Sequence, residues 1–146
     1  MVLLKTALAS AQEDRLEWGE NMTIKEVSEK FGISQDTLRY YERVGMIPTV
    51  TRTASGVRDY QPSDLQWVDL AKCMRNAGLP VEAMIEYVQL SLQGDDTIPD
   101  RLQLLVQQRQ KLLQRRKQID ETLERLNYKI SRYERAVETG ELTWQE

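Results

Sequence analysis

Apolar residues recur every three or four positions along most of this chain, which is the spacing of helices with one buried face. Thr23-Ile24-Lys25-Glu26 reads as a capping box, in which the Thr23 hydroxyl and the Glu26 carboxylate each satisfy a free amide of the first turn. Ile24, Val27 and Phe31 then fall on one face, and Gly32 ends the segment. Ser34 is a second N-cap, Leu38, Tyr41 and Val44 repeat the period, and Gly45 followed by Pro48 stops it. Two short helices joined by a Gly-containing turn form a helix-turn-helix.

The period is lost over residues 49–60. Val50, Thr51 and Thr53 favour extended backbone, Ser55-Gly56 marks a turn, and Val57 to Tyr60 returns. A small β-hairpin in this place is a wing, with Arg52 on one arm and Arg58 on the other. Ser63-Asp64-Leu65-Gln66 suggests another capping box, opening a helix through Leu65, Val68, Ala71 and Met74 to Gly78. Pro80 precedes a further helix from Val81 to about Leu92, expected to bury Met84, Val88 and Leu92 or their neighbours. Gly94-Asp95-Asp96 reads as a linker.

From Ile98 to Val137 no Gly intervenes, and Pro99 sits only at the start. With Leu102 as position a of a heptad, the a residues are Leu102, Arg109, Arg116, Leu123, Ile130 and Val137. The d residues are Leu105, Leu112, Ile119, Leu126 and Tyr133. Such a helix spans roughly 60 Å at ~1.5 Å per residue. A stripe that long cannot be covered by the small unit before it, so a second copy of the chain is expected. The interface residues are Leu102, Leu105, Leu112, Ile119, Leu123, Leu126, Ile130 and Tyr133. A parallel pairing would stack Arg109 on Arg109 and Arg116 on Arg116, costing more at a desolvated seam than exposed pairs such as Arg115 with Asp120 return. An antiparallel coiled coil is therefore expected.

Composition narrows the chemistry. The 146 residues include no His and one Cys. Ser-His-Asp and Cys-His catalysis, His-containing metal sites and an intramolecular disulfide are excluded. No paired carboxylates, phosphate loop or nucleophile–base set suggests an enzyme, and no cofactor is expected. No stretch approaches the roughly 20 apolar residues of a membrane span. Met1 to Ala11 is mildly apolar but interrupted by Lys5, too short for a signal peptide, so a cytoplasmic protein without a membrane partner is expected. Residues 22–80 carry eight Lys or Arg against seven Asp or Glu. That balance is a weak electrostatic footprint for nucleic acid, and charge alone does not point to DNA.

The residues themselves are more specific. Met22-Thr23-Ile24-Lys25-Glu26-Val27, the run Thr37-Leu38-Arg39-Tyr40-Tyr41-Glu42-Arg43-Val44-Gly45-Met46-Ile47-Pro48, and Arg52 with Gly56-Val57-Arg58-Asp59-Tyr60 closely resemble the MerR family of transcription regulators. The segment Lys72-Cys73-Met74-Arg75-Asn76-Ala77-Gly78-Leu79 resembles its NmlR/AdhR-like branch, associated with aldehyde, electrophile or nitrosative stress. The resemblance covers residues 22 to about 137. It implies a mainly α protein: a winged helix-turn-helix DNA-binding domain with a small β-hairpin wing, then a long dimerisation helix. The expected division is an extension of unknown role at 1–21, the DNA-binding unit with its helical pair at 22–93, and linker, coiled-coil helix and tail at 94–146.

The resemblance further implies a homodimer on double-stranded promoter DNA whose −35 and −10 elements are spaced too far apart for RNA polymerase. The dimer bends and untwists that DNA in response to an effector. DNA contact is expected from Ser34, Thr37, Arg39, Tyr40 and Tyr41 around the second helix, from Arg52, Arg58 and Tyr60 of the wing, and from Lys72 and Arg75. Ser34 also reads as a plain N-cap, and Tyr41 and Tyr60 as core residues. Cys73 is the candidate sensor thiol: Lys72 and Arg75 favour its thiolate and Asp69 opposes it. The other reading of Cys73 is an inert core residue beside Met74 and Trp67. Trp67 and Tyr87 read as core packing rather than a drug pocket. Metal-sensing relatives carry Cys around the long helix; Thr97 to Asp100 and Glu138 to Glu146 have none, so no metal site is expected. The competing readings are a coiled-coil protein whose N-terminal unit docks another protein, and a regulator of the same type with a non-covalent effector.

Overall fold

The computed structural model describes residues 19–144, and most of the extension expected at 1–21 lies outside the described residues. The described elements are α1 (Ile24–Phe31), α2 (Gln35–Val44), α3 (Pro62–Asn76), α4 (Val81–Gln93), a 3-10 turn (Asp95–Thr97) and α5 (Ile98–Thr139). The chain divides into two compact units, the first ending at Leu104 and the second beginning at Leu105.

The first unit forms as its local signals dictate. Thr23 and Glu26 make the capping box: the Glu26 amide donates to Thr23 Oγ1 at 3.3 Å, and the Thr23 amide donates to Glu26 Oε2 at 2.7 Å. Gly45 ends α2 at φ 84°, a left-handed conformation that costs a residue with a Cβ. One side chain from each turn of α1 and α2 enters a shared core. Val27, Leu38, Met46, Ile47, Tyr60, Leu65, Val68 and Ala71 are at most 1% exposed, and Met84 of α4 closes the cluster. Trp67 of α3 meets Tyr87 of α4 edge to face at 5.9 Å, which fits the packing role expected of both.

Three local expectations are corrected or narrowed. The helix through Leu65 begins at Pro62, and its box joins Gln61 to Asp64, whose Oδ2 accepts from the Gln61 amide at 2.9 Å. Proline has no amide hydrogen to satisfy and so is favoured at the first helical position, which places the start before Ser63. At the end of α4 the inward positions are the neighbours Leu90 and Ser91, which are half-buried, while Leu92 itself is 68% exposed. The wing is not a regular two-stranded ribbon: among the described residues it consists of single antiparallel bridges, Arg52 with Arg58 and Met22 with Tyr60. Its turn is closed by the Gly56 amide on Thr53 O at 2.9 Å and the Thr53 amide on Val57 O at 2.8 Å. The Met22–Tyr60 bridge stitches the end of the wing to the residue before the Thr23 cap of α1.

The second unit consists of most of α5 and the tail. α5 has 42 residues, roughly 63 Å at ~1.5 Å per residue. Leu112, Ile119, Leu123, Leu126, Ile130 and Tyr133 are all exposed, along with Val137 at 86%. Near its end, Leu126, Lys129, Ile130, Tyr133, Glu134 and Val137 line an open groove of about 480 Å³. The tail returns onto the helix: the Tyr128 hydroxyl donates to Trp144 O at 2.9 Å, and the Trp144 ring meets Tyr133 edge to face at 6.0 Å. No helix among the described residues is long and apolar enough to cross a membrane.

Candidate nucleic-acid interface

The second helix of the pair, α2, divides cleanly by face. Leu38 and Tyr41 point into the core, at 0% and 8% exposure, while Arg39, Tyr40 and Arg43 point outward. At its start Ser34 Oγ accepts from the Thr37 amide at 3.1 Å and donates to Thr37 Oγ1 at 2.8 Å. Ser34 is thus the N-cap, and Thr37 Oγ1 shares its hydrogen bond. Arg39 rests against Asp36 at 3.0 Å and Gln35 at 3.3 Å, but Asp36 is almost fully exposed, so water screens the pair and it contributes little to stability. Such an Arg is free to exchange its partner for a phosphate or a base edge. The Tyr40 ring lies under the Arg43 guanidinium at 5.6 Å, which keeps an aromatic and a cation together on the same surface.

Tyr41 and Tyr60 lie in the core rather than on the surface expected for DNA contact. Burial raises the Tyr41 hydroxyl pKa, with Arg75 opposing the shift and Tyr40 adding to it. Tyr60 is wholly buried, and loss of hydration pushes its hydroxyl up to about 12, against the opposing pull of Arg58. Its oxygen has no hydrogen-bond partner. A ring without exposed surface presents nothing to a duplex, so Tyr60 serves the wing by anchoring its end in the core.

The wing arginines converge on one acid. Glu42, on α2, has a side chain only 9% exposed. Its Oε2 accepts from Arg58 Nε at 2.7 Å, and its Oε1 accepts from Arg52 Nη2 and from the Val50 amide, both at 3.4 Å. Arg52 also donates through Nη1 to Gly56 O at 3.1 Å. Sequence reasoning placed the two arginines in the interface but gave Glu42 no role. The clue was available: Glu42 follows Leu38 by four residues and adjoins Tyr41, which puts an acid on the buried side of α2, where it requires cationic or amide partners. Arg43 was missed as well, since an exposed Arg has no periodic signature.

On α3, Lys72 is half-buried and Arg75 donates through Nη1 to Leu79 O at 2.7 Å, closing the turn after the helix. Arg75 is therefore partly committed to structure. Cys73 is exposed on the same helix, so the reading of it as a buried core residue does not hold. No group of three or more His, Cys, Asp and Glu side chains among the described residues could hold a metal ion.

The outward face of α2 and the wing thus gather Arg39, Arg43, Arg52 and the Tyr40 ring on one surface of the first unit. The profile of the MerR HTH family regulatory protein matches residues 22–90. The HTH-type transcriptional regulator AdhR of Bacillus subtilis is 50% identical over 93 residues, covering 64% of this chain and 66% of that protein, slightly under two thirds of its length. An uncharacterized HTH-type transcriptional regulator of Haemophilus influenzae is 34% identical over 118 residues, covering 81% and 87% of the two chains. Among solved structures, HiNmlR, a MerR family regulator lacking the sensor domain and bound to promoter DNA, superposes with a TM-score of 0.76 at 33% identity. That match covers 84% of this chain and 97% of the other.

Proposed function

The chain belongs to the MerR family of helix-turn-helix transcriptional regulators, and from that premise we propose that it is a dimeric promoter switch whose signal enters at Cys73. The division into DNA-binding unit, linker and dimerisation helix at residue 93 belongs to the same reading. α2 enters the major groove, with Arg39 and Tyr40 on the duplex and Ser34 and Thr37 at the helix start near the backbone. Arg52 and Arg58 reach phosphates from the wing, and Lys72 adds a contact from α3. Two chains pair through the exposed stripe of α5, antiparallel so that Arg109 and Arg116 do not face themselves. The dimer bends a promoter with an overlong spacer and so aligns its elements for RNA polymerase.

The exposed cationic and aromatic face of α2, beside two wing arginines, carries the DNA-binding part of this reading. The likeness to HiNmlR on promoter DNA supports the DNA-binding part as well, and the exposure of Cys73 supports the sensing part. Cys73 is the single thiol of the chain, so no disulfide within a chain can carry the signal, and of the two covalent routes left, an adduct with an electrophile such as an aldehyde and a bridge between the Cys73 residues of two chains, we propose the adduct. The test is transcription from the cognate promoter with and without such a compound. Cys73→Ser should bind DNA as the parent does and lose induction. Equal induction in both would place the signal elsewhere, on a non-covalent effector.

A further inference from the structure

We infer that Glu42 is the positioning residue of the wing: a single largely buried carboxylate on the recognition helix that fixes both wing arginines for the duplex. This rests on the DNA-binding reading and adds a role that neither motif nor charge assigns. Three donors from the wing end on the Glu42 side chain: the Val50 amide, Arg52 and Arg58. They come from both arms, so one acid ties the whole hairpin to α2. Between its arms the wing has few backbone bonds, the Thr53 amide on Val57 O at 2.8 Å and the Asp59 amide on Thr51 O at 2.7 Å, so contacts from α2 add to a short hairpin that is weakly held by itself.

The two arginines are held differently. Arg58 meets Glu42 through Nε at 2.7 Å, within the range of a charge-assisted bond, and its side chain is only 23% exposed. Because Nε is the attached atom, both Nη amino groups remain available to donate. Arg52 meets the acid at 3.4 Å and is 41% exposed, so it is held more loosely and completes its support on Gly56 O. A guanidinium buttressed from behind by a carboxylate loses less conformational freedom when it takes a phosphate.

The arrangement makes a prediction opposite in sign to simple electrostatics. An acid beside a DNA-facing surface repels phosphate, so removing its charge should strengthen binding to any duplex. If Glu42 acts by holding the arginines, its neutral analogue should weaken binding to the operator. We would select an operator from random duplexes, then measure its affinity and that of a scrambled duplex at several salt concentrations, using the full-length protein. Glu42→Gln keeps the shape and one acceptor. It should bind the operator about tenfold more weakly while binding the scrambled duplex equally well or better. Arg58→Lys keeps the cation but removes the Nε donor, and should show the same selective loss. The loss in the double variant should fall clearly short of the sum of the two single losses, since both break the shared Glu42–Arg58 contact.

Operator affinity in Glu42→Gln equal to or above the parent would overturn the inference, as would additive losses in the double variant. Should Glu42→Gln fail to fold, Glu42→Asp, which keeps the charge but draws the carboxylate back from Arg58 and Arg52, decides the matter by the same ratio of operator to scrambled affinity. A parent protein that does not distinguish operator from scrambled duplex would instead refute the DNA-binding reading itself.

Discussion

The two units of this chain handle the same kind of residue in opposite ways. In the first, Val27, Leu38, Met46, Ile47 and Leu65 are sealed from water by short helices that cross one another. In the second, Leu112, Ile119, Leu123, Leu126 and Ile130 are just as regularly spaced and remain exposed. Burial of apolar surface stabilises by roughly 25 cal/mol per Å², so the first unit has already gained what the second has still to gain. Periodicity therefore states that a face will be buried, not whether the covering comes from the same chain. Contiguous apolar surface of this extent on a single helix is what the proposed pairing of two chains would cover.

The contrast is broken most sharply on α5. The double substitution of Leu112 and Ile119 by Glu should turn a dimer into a monomer at micromolar concentration in sedimentation velocity, with the first unit still folded. Two charges at a desolvated seam cost several kcal/mol, on the order of a thousandfold in dissociation constant. A parent chain that is itself monomeric would defeat the reading. The matching change in the first unit is Leu38→Ala, which removes a side chain that is 0% exposed. It should lower the unfolding free energy by about 2–5 kcal/mol in denaturant titration.

Arg39→Ala should leave stability unchanged, because its partner Asp36 is in solvent, while weakening operator affinity by about 1–3 kcal/mol per half-site. Loss of stability without loss of binding would move Arg39 from the interface to the scaffold.

The smallest effect concerns Tyr60. Its folded pKa of about 12 lies above the ordinary 10.0, so the neutral ring contributes its full stability below pH 10 and loses it as pH rises through about 12. Tyr60→Phe should be nearly neutral near pH 7, since the buried hydroxyl has no partner to lose. Melting between pH 9 and 12 should then show a flatter alkaline decline than in the parent, and equal slopes would assign that decline to other tyrosines.

Much of this could be read from the chain alone. Caps at Thr23 and Ser34, the stops at Gly32 and Gly45 and the apolar period between them fixed α1 and α2, because those effects act within a few residues of each other. The long helix was equally legible, since an unbroken heptad needs no distant partner to be recognised. What the tertiary structure decided was which side chains the crossing elements cover. It sent Tyr60 and most of Tyr41 inward, left Cys73 and Leu92 outside, and committed Arg75 to the Leu79 carbonyl. Above all it placed Glu42 of α2 against Arg52 and Arg58, ten and sixteen residues further on. Local periodicity determines a helix and its faces; the pairing of charges across a hairpin depends on where the chain returns, and only the assembled core determines that.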